Sequence, residues 1–331
     1  MIFTGQHRLD PDAFGLAPWL HADLNCPGRE NPHDHVREVT WAMTAQLCSR
    51  PDLLIVQGDT SSALGAALAG FRLGIPVAHV EAGLRTHDPL LPWPEEEYRT
   101  AIDAHAALLF APTALSAANL RAERVAGEID VTGNTSIDAV REAAPFLQPR
   151  PSPGRRACLL VTCHRRESWQ HGLRSIAAAI IQLAEDADVE FMLHPNRFVA
   201  GAARHMLGAS RGVRLIDPCS HAELLARMVA ADIVLSDSGG IQEEAPALGV
   251  PLLVLRDKTE RPEGITSGSA ILVGTDPAEI VSQARRLRAD SDVRAAMSVP
   301  RFPFGDGRAS ERIAARIVEW LVQRPLTKRL A

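Results

Sequence analysis

The 331-residue chain is 46% hydrophobic and 23% charged, with a formal net charge of -5, a balance that excludes disorder and fits a folded globular protein of two domains. The acidic excess, with no basic run carrying interleaved aromatics, argues against a nucleic-acid partner. No stretch of about 18 uninterrupted apolar residues or basic-then-apolar leader is present, and Cys26, Cys48, Cys158, Cys163 and Cys219 show no CxxC spacing, so a cytoplasmic protein with no disulfide framework, zinc site or membrane span is expected.

Along the first half, short apolar runs alternate with longer amphipathic segments. The pattern predicts strands at 53–56, 77–80, 108–111 and 129–132 with helices between them, as in a parallel α/β sheet. Ligands of such sheets sit beyond the carboxyl ends of the strands, which singles out the polar residues just after each run. Asp59 follows Leu53-Leu-Ile-Val-Gln-Gly58, and Glu81 follows Val77-Ala-His-Val80. Glu95 lies in Pro92-Trp-Pro-Glu-Glu-Glu-Tyr-Arg99, a proline-fixed helix start whose acids complement the helix dipole and which ends on Arg99. Taken singly, each acid is also an ordinary cap or loop residue. Several at such ends point to chemistry.

Leu147-Gln-Pro-Arg-Pro-Ser-Pro-Gly154 cannot continue a helix and is expected to link two domains. Further strands are predicted at 157–162, 189–193, 213–216, 233–235, 252–255 and 271–273. The expected organisation is therefore two Rossmann-like domains, 1–148 and 154–308. Residues 309–331, with helical apolar spacing at Ile313, Ile317, Trp320 and Leu321, are expected to pack back on the first domain.

Thr162-Cys-His-Arg-Arg-Glu-Ser168 follows the first strand of the second series, and its His164, Arg165 and Arg166 carry the donors and charge that suit a diphosphate. Ser236-Asp-Ser-Gly-Gly-Ile-Gln-Glu-Glu244 reads as a strand end, a glycine turn and a helix start. There Ser238, Gly239 and Gly240 allow backbone to approach an anion, and the unpaired N–H groups of the helix start favour phosphate. Glu243 and Glu244 beside them either complement the helix dipole or hold the ribose hydroxyls of a nucleotide.

Taken together, Gln57-Gly-Asp-Thr60, His79-Val-Glu-Ala-Gly-Leu-Arg-Thr86, Trp93-Pro-Glu-Glu96, Thr132-Gly-Asn-Thr135, His164-Arg-Arg-Glu167, Asp237-Ser-Gly-Gly-Ile-Gln-Glu-Glu-Ala-Pro246, Thr259-Glu-Arg-Pro-Glu263 and Phe304-Gly-Asp-Gly307 resemble, in order, the UDP-N-acetylglucosamine 2-epimerase family. The resemblance implies a glycosyltransferase-B-like architecture with the active site between its Rossmann-like domains. It also implies a homodimer, a role in cell-envelope polysaccharide biosynthesis, and no metal or nicotinamide cofactor. The implied reaction inverts C2 of UDP-N-acetylglucosamine to give UDP-N-acetylmannosamine, by elimination of UDP to a 2-acetamidoglucal and its re-addition. Such a step asks for carboxylate bases and a stabilised diphosphate.

Carried over by similarity, Asp59, Glu81 and Glu95 would be the acid/base residues, with His164 also near the chemistry. His164, Ser238, Gly239 and Gly240 would hold the diphosphate, Glu244 the ribose, and Arg99 and Arg261 further polar contacts to UDP. Gln6 and His7 match part of a second, regulatory UDP-sugar site of bacterial members. The opening Met1-Ile-Phe-Thr-Gly-Gln-His-Arg8 resembles the second strand and loop of the family, so the first strand-turn-helix unit is expected to be missing. Cys163, Tyr98 and His194-Pro-Asn196 depart from the family pattern. Competing expectations are a hydrolysing epimerase releasing UDP and N-acetylmannosamine, a retaining glycosyltransferase, and a catalytically impaired UDP-sugar-binding protein.

Overall fold

A computed structural model describes residues 1–6, 19, 22–47, 50–148, 156–163 and 171–324. The chain divides into two units, Met1–Gly133 with Glu311–Ala331, and Asn134–Ser310.

The first unit runs β1 (Ile2–Phe3), β2 (Ala22–Asp23), α1 (Pro32–Gln46), β3 (Leu54–Gln57), α2 (Ser61–Leu73), β4 (Val77–Val80), α3 (Glu95–Asp103), β5 (Leu108–Ala111), α4 (Ala114–Glu123) and β6 (Glu128–Val131). β3-β4-β5-β6 form a parallel sheet in that order, while among the described residues β1 and β2 form a separate two-stranded parallel pair. Every residue of β4 and β5 is buried, as expected of central parallel strands covered by helices on both faces. Helix starts are set by sequence: Thr60 Oγ1 caps α2 by accepting from Ala63 N, and Thr113 Oγ1 caps α4 by accepting from Ser116 N. Val39 and Met43 of α1, Ala67 of α2 and Ile102 of α3 share one core.

The second unit continues with α5 (Thr135–Ala143), β7 (Cys158–Thr162), α6 (His171–Leu183), β8 (Asp188–Met192), α7 (Arg197–Leu207), β9 (Val213–Ile216), α8 (His221–Ala230) and β10 (Ile233–Ser236). It closes with α9 (Gly239–Leu248), β11 (Leu252–Val254), α10 (Pro262–Thr266), β12 (Ala270–Leu272), α11 (Pro277–Ala289) and α12 (Ser291–Met297). Its parallel sheet has the order β12-β11-β10-β7-β8-β9. The chain therefore builds outward from β7 on one side and then returns to build outward from β10 on the other, which opens a crevice beyond the carboxyl ends of β7 and β10.

The ten strands predicted in the two series all lie within one residue of the observed ones at each end. The division falls at Gly133/Asn134, ahead of the expected linker, whose residues 149–155 lie outside the described ones. Packing explains the grouping of α5: Ile137 and Val140 share a core with Leu225, Met228 and Phe304, and Asn134 N donates to Phe304 O. The last helix, α13 (Ala309–Gln323), carries Arg316, whose Nε lies 3.1 Å from Asp130 Oδ2, and Trp320, whose Nε1 donates to Glu128 Oε1. Both acids belong to β6 of the first unit.

Candidate active site

In the first unit, two left-handed residues shape the ends of adjacent strands. Gly58, after β3, has φ +69°, and Glu81, after β4, has φ +73°. A side chain in that conformation costs about 1–3 kcal/mol, which the surrounding contacts must offset. A Cβ on Gly58 would lie 3.4 Å from Glu81 Oε2, so the Glu81 carboxylate rests over the turn that leads into Asp59. Asp59 Oδ2 in turn lies 2.7 Å from Nη2 of Arg99, a buried residue of α3. Arg99 Nε donates to the carbonyl of Glu95, one turn earlier in the same helix. Asp59, Glu81 and Glu95 are all partly exposed. They are carboxylates a ligand can reach.

Glu96, between these elements, has a different task. It is buried, and its carboxylate accepts from the backbone N–H groups of Thr86 and His87 at 3.0 Å. The acid triplet at the start of α3 therefore does more than complement a helix dipole: one member holds the loop that follows β4. Beneath the strand ends lie three titratable groups to which the sequence pattern gives no role. His79 Nδ1 meets Asp103 Oδ1 at 2.6 Å, and Arg85 Nη2 meets Asp103 Oδ2 at 2.8 Å. His79 and Arg85 stand within the His79–Thr86 motif, but Asp103 lies 24 residues from His79 and no local pattern links them.

In the second unit, Ser236, Asp237 and Ser238 leave β10 at the crevice, with Asp237 fully buried and Cys163 Sγ 3.5 Å from its Oδ2. Ser238 is the N-cap of α9, and Gly239 and Gly240 form its first positions. The two glycines are not equivalent. A Cβ on Gly239 would lie 2.6 Å from Arg261 Nη1, whereas among the described residues a Cβ on Gly240 would come no nearer than 3.9 Å, to Glu244 Oε1. Arg261 thus packs its guanidinium against Gly239, bringing a cation to the helix start where dipole and N–H groups already favour an anion.

Glu243 corrects one of the two options read for it. Only 1% exposed, it accepts from Asn134 Nδ2 at 2.7 Å, from Ser136 Oγ, and from Arg261 Nε at 2.6 Å. That carboxylate is consumed by internal partners and is not presented to a ribose. Glu244 is held differently: His221 Nε2 lies 2.8 Å from its Oε1. That hydrogen bond raises the His221 pKa above the ordinary histidine value, with burial opposing and the Glu244 charge adding to the rise. Gln242, also unassigned from sequence, accepts from Thr259 Oγ1 and donates through Nε2 to Ser238 O, so it braces the same turn.

His164, Arg165 and Arg166 lie outside the described residues, as does His7. Gln6 is described, and its Oε1 accepts from Ser62 Oγ at 2.6 Å in the first turn of α2. Among the described residues, no helix is long and apolar enough to cross a membrane.

The family model that matches is described as UDP-N-acetylglucosamine 2-epimerase and spans residues 1–318. UDP-N-acetylglucosamine 2-epimerase of Escherichia coli strain K12 is 43% identical over 335 residues, covering 94% of this chain and 88% of that protein. The Neisseria meningitidis UDP-GlcNAc 2-epimerase, solved bound to UDP-GlcNAc, superposes with a TM-score of 0.86 at 34% identity, over 93% of this chain and 87% of that one. The S. aureus MnaA–UDP co-structure gives a TM-score of 0.85 at 32% identity, over 96% and 89% of the two chains. The glycosyltransferase-B-like α/β architecture expected from the motifs agrees with these likenesses.

Proposed function

The chain belongs to the UDP-N-acetylglucosamine 2-epimerase family, and on that premise we propose that it interconverts UDP-N-acetylglucosamine and UDP-N-acetylmannosamine. The observation that carries the reading is the pairing of two accessible carboxylates, Asp59 and Glu81, at adjacent strand ends beside the buried cation Arg99. In this mechanism a carboxylate of the first unit removes the weakly acidic C2 proton as the C1–O bond breaks and UDP departs. The electron pair of the C–H bond becomes the double bond of 2-acetamidoglucal. UDP then adds back at C1 while a second carboxylic acid protonates C2 on the opposite face. Asp59, Glu81 and Glu95 are the acid/base set, their assignment to faces left open.

The second unit is proposed to hold the leaving group. Ser238, Gly239 and Gly240 offer α9 backbone to the diphosphate, Arg261 supplies charge behind them, and Glu244, braced by His221, accepts from the ribose hydroxyls. Stabilising the departing diphosphate is where electrostatics contributes most to such a barrier. His164 is proposed as a further diphosphate donor and Gln6 with His7 as part of a regulatory site. We further propose a cytoplasmic homodimer serving cell-envelope polysaccharide synthesis.

Incubation with UDP-N-acetylglucosamine followed by chromatography tests the reading. UDP-N-acetylmannosamine at a constant total of nucleotide sugar supports it. Free UDP accumulating in step with N-acetylmannosamine identifies the hydrolysing reaction instead, and tight binding without turnover identifies a binding protein.

A further inference from the structure

His79 is fully buried, and the acid/base scheme leaves it unused. Its hydrogen-bond partners fix its protonation. Nε2 lies 2.9 Å from the carbonyl oxygen of Gly58, which can only accept, so that nitrogen carries a hydrogen. Nδ1 lies 2.6 Å from Asp103 Oδ1, while Oδ2 of the same carboxylate accepts from Gly83 N at 3.1 Å and pairs with Arg85 Nη2 at 2.8 Å. Against the cost of burial, the Asp103 carboxyl is held below its ordinary pKa, with Arg85 paired to it and Gly83 N donating to it, and an ionised Asp103 facing Nδ1 calls for a hydrogen there as well. Both ring nitrogens donate, which makes His79 an imidazolium.

The charge is balanced locally. Asp103 of α3 faces both His79 and Arg85, and Glu123 of α4 pairs with Arg85 at 2.7 Å. Glu81, two residues beyond His79, is the remaining acid that acts on it. Burial works against the charged ring, but Asp103, the Gly58 carbonyl and Glu81 together raise its pKa above the ordinary histidine value.

The same contacts place it under the acid cluster. Its hydrogen bond to Gly58 pins the left-handed turn whose next residue is Asp59, and Glu81 rests over that turn. Asp103, through Gly83 N, ties down the segment that leaves Glu81. We propose that His79 is a positioning residue of the reaction: a buried imidazolium that fixes the Gly58 and Glu81 turns and sets a positive charge behind the carboxylates they aim. Asp103 and Arg85 serve it by holding the proton on Nδ1. This inference rests on the epimerase reading for its kinetic consequence, but its chemical core does not.

Two measurements test it. In the full-chain protein labelled with 15N-histidine, with His79 assigned by comparison with His79→Gln, both ring nitrogens should appear protonated at pH 8.5, where a free imidazole of pKa about 6.5 is neutral. A single pyridine-type nitrogen there would overturn the proposal whether or not the protein turns over sugar. In kinetics, His79→Gln keeps a donor of similar reach but removes the charge. Its kcat should fall at least tenfold with KM changed less than threefold, and the acidic limb of its kcat profile should move to higher pH, since the base loses a neighbouring positive charge. His79→Leu, which removes donor and charge, should lose more than His79→Gln. A folded His79→Gln protein with wild-type kcat and an unmoved limb would sink the idea. If the wild-type protein has no turnover, the epimerase reading fails, and the nitrogen signals still decide the placement of the charge.

Discussion

Arg99 Nη2 sits 2.7 Å from Asp59 Oδ2, with the guanidinium buried and the carboxylate partly open to solvent. A buried cation this close anchors an accessible acid electrostatically at the strand end, where a substrate can meet it. Asp59→Asn keeps the shape and removes the basicity. The expected result is a fall in kcat of roughly 10²- to 10⁴-fold, the range general acid–base groups supply, with UDP affinity and KM nearly unchanged. Steady-state kinetics beside UDP calorimetry checks it, and a variant that lost affinity but not kcat would contradict the role.

The two glycines of α9 give a paired test. Gly239→Ala would drive a Cβ to 2.6 Å from Arg261 Nη1, so the guanidinium must move and its bonds to Glu243 and Glu260 must distort. Both melting temperature and UDP affinity should drop. Gly240→Ala meets no atom of another described element closer than 3.9 Å; stability should hold while UDP affinity falls, because the new methyl occupies space needed by phosphate. Equal affinity in Gly240→Ala and wild type would place the diphosphate elsewhere.

Glu243→Ala should act on stability. It leaves Arg261 with Glu260 as a carboxylate partner and strands the amide of Asn134 and the hydroxyl of Ser136. Removing one member of a buried ion pair costs about 3–5 kcal/mol, and the loss should appear as a lower urea midpoint at unchanged slope. A midpoint within experimental error of wild type would show that Glu243 is not the hub of this network.

His221 predicts a pH dependence. Its folded pKa is raised, first by the hydrogen bond to Glu244 and then by that residue's charge, against burial. A raised histidine pKa means that its stabilising contribution is fully present below the unfolded value of about 6.5 and is lost as pH climbs through the folded value. The melting-temperature gap between wild type and His221→Asn should therefore be widest near pH 6 and narrow toward pH 9. A gap independent of pH would argue against a charged His221–Glu244 contact.

Much of this fold is legible in the sequence because buried parallel strands leave an unmistakable trace: Val77-Ala-His-Val80, apolar but for His79, and Leu108-Leu-Phe-Ala111 are buried throughout and bounded by turn residues. The reachable acids are legible for a related reason, since parallel sheets deliver ligands to strand ends and Asp59 and Glu81 stand there. The partners of those acids are not. Asp103 meets His79 only because α3 packs against the sheet, and Glu243 differs from its neighbour Glu244 only in which way α9 turns each side chain, one toward Asn134 and Arg261, the other toward His221. Adjacent carboxylates look interchangeable in one dimension and separate only when the helix faces are fixed.

The most direct test of the central claim, that carboxylates of the first unit exchange the C2 proton of a UDP-sugar, is turnover of UDP-N-acetylglucosamine in deuterated water. Wild-type protein should place deuterium at C2 of UDP-N-acetylmannosamine, and Asp59→Asn and Glu81→Gln should bind UDP yet incorporate label at least a hundredfold more slowly. Folded, UDP-binding wild-type protein that leaves C2 unlabelled and yields no mannosamine product would contradict it.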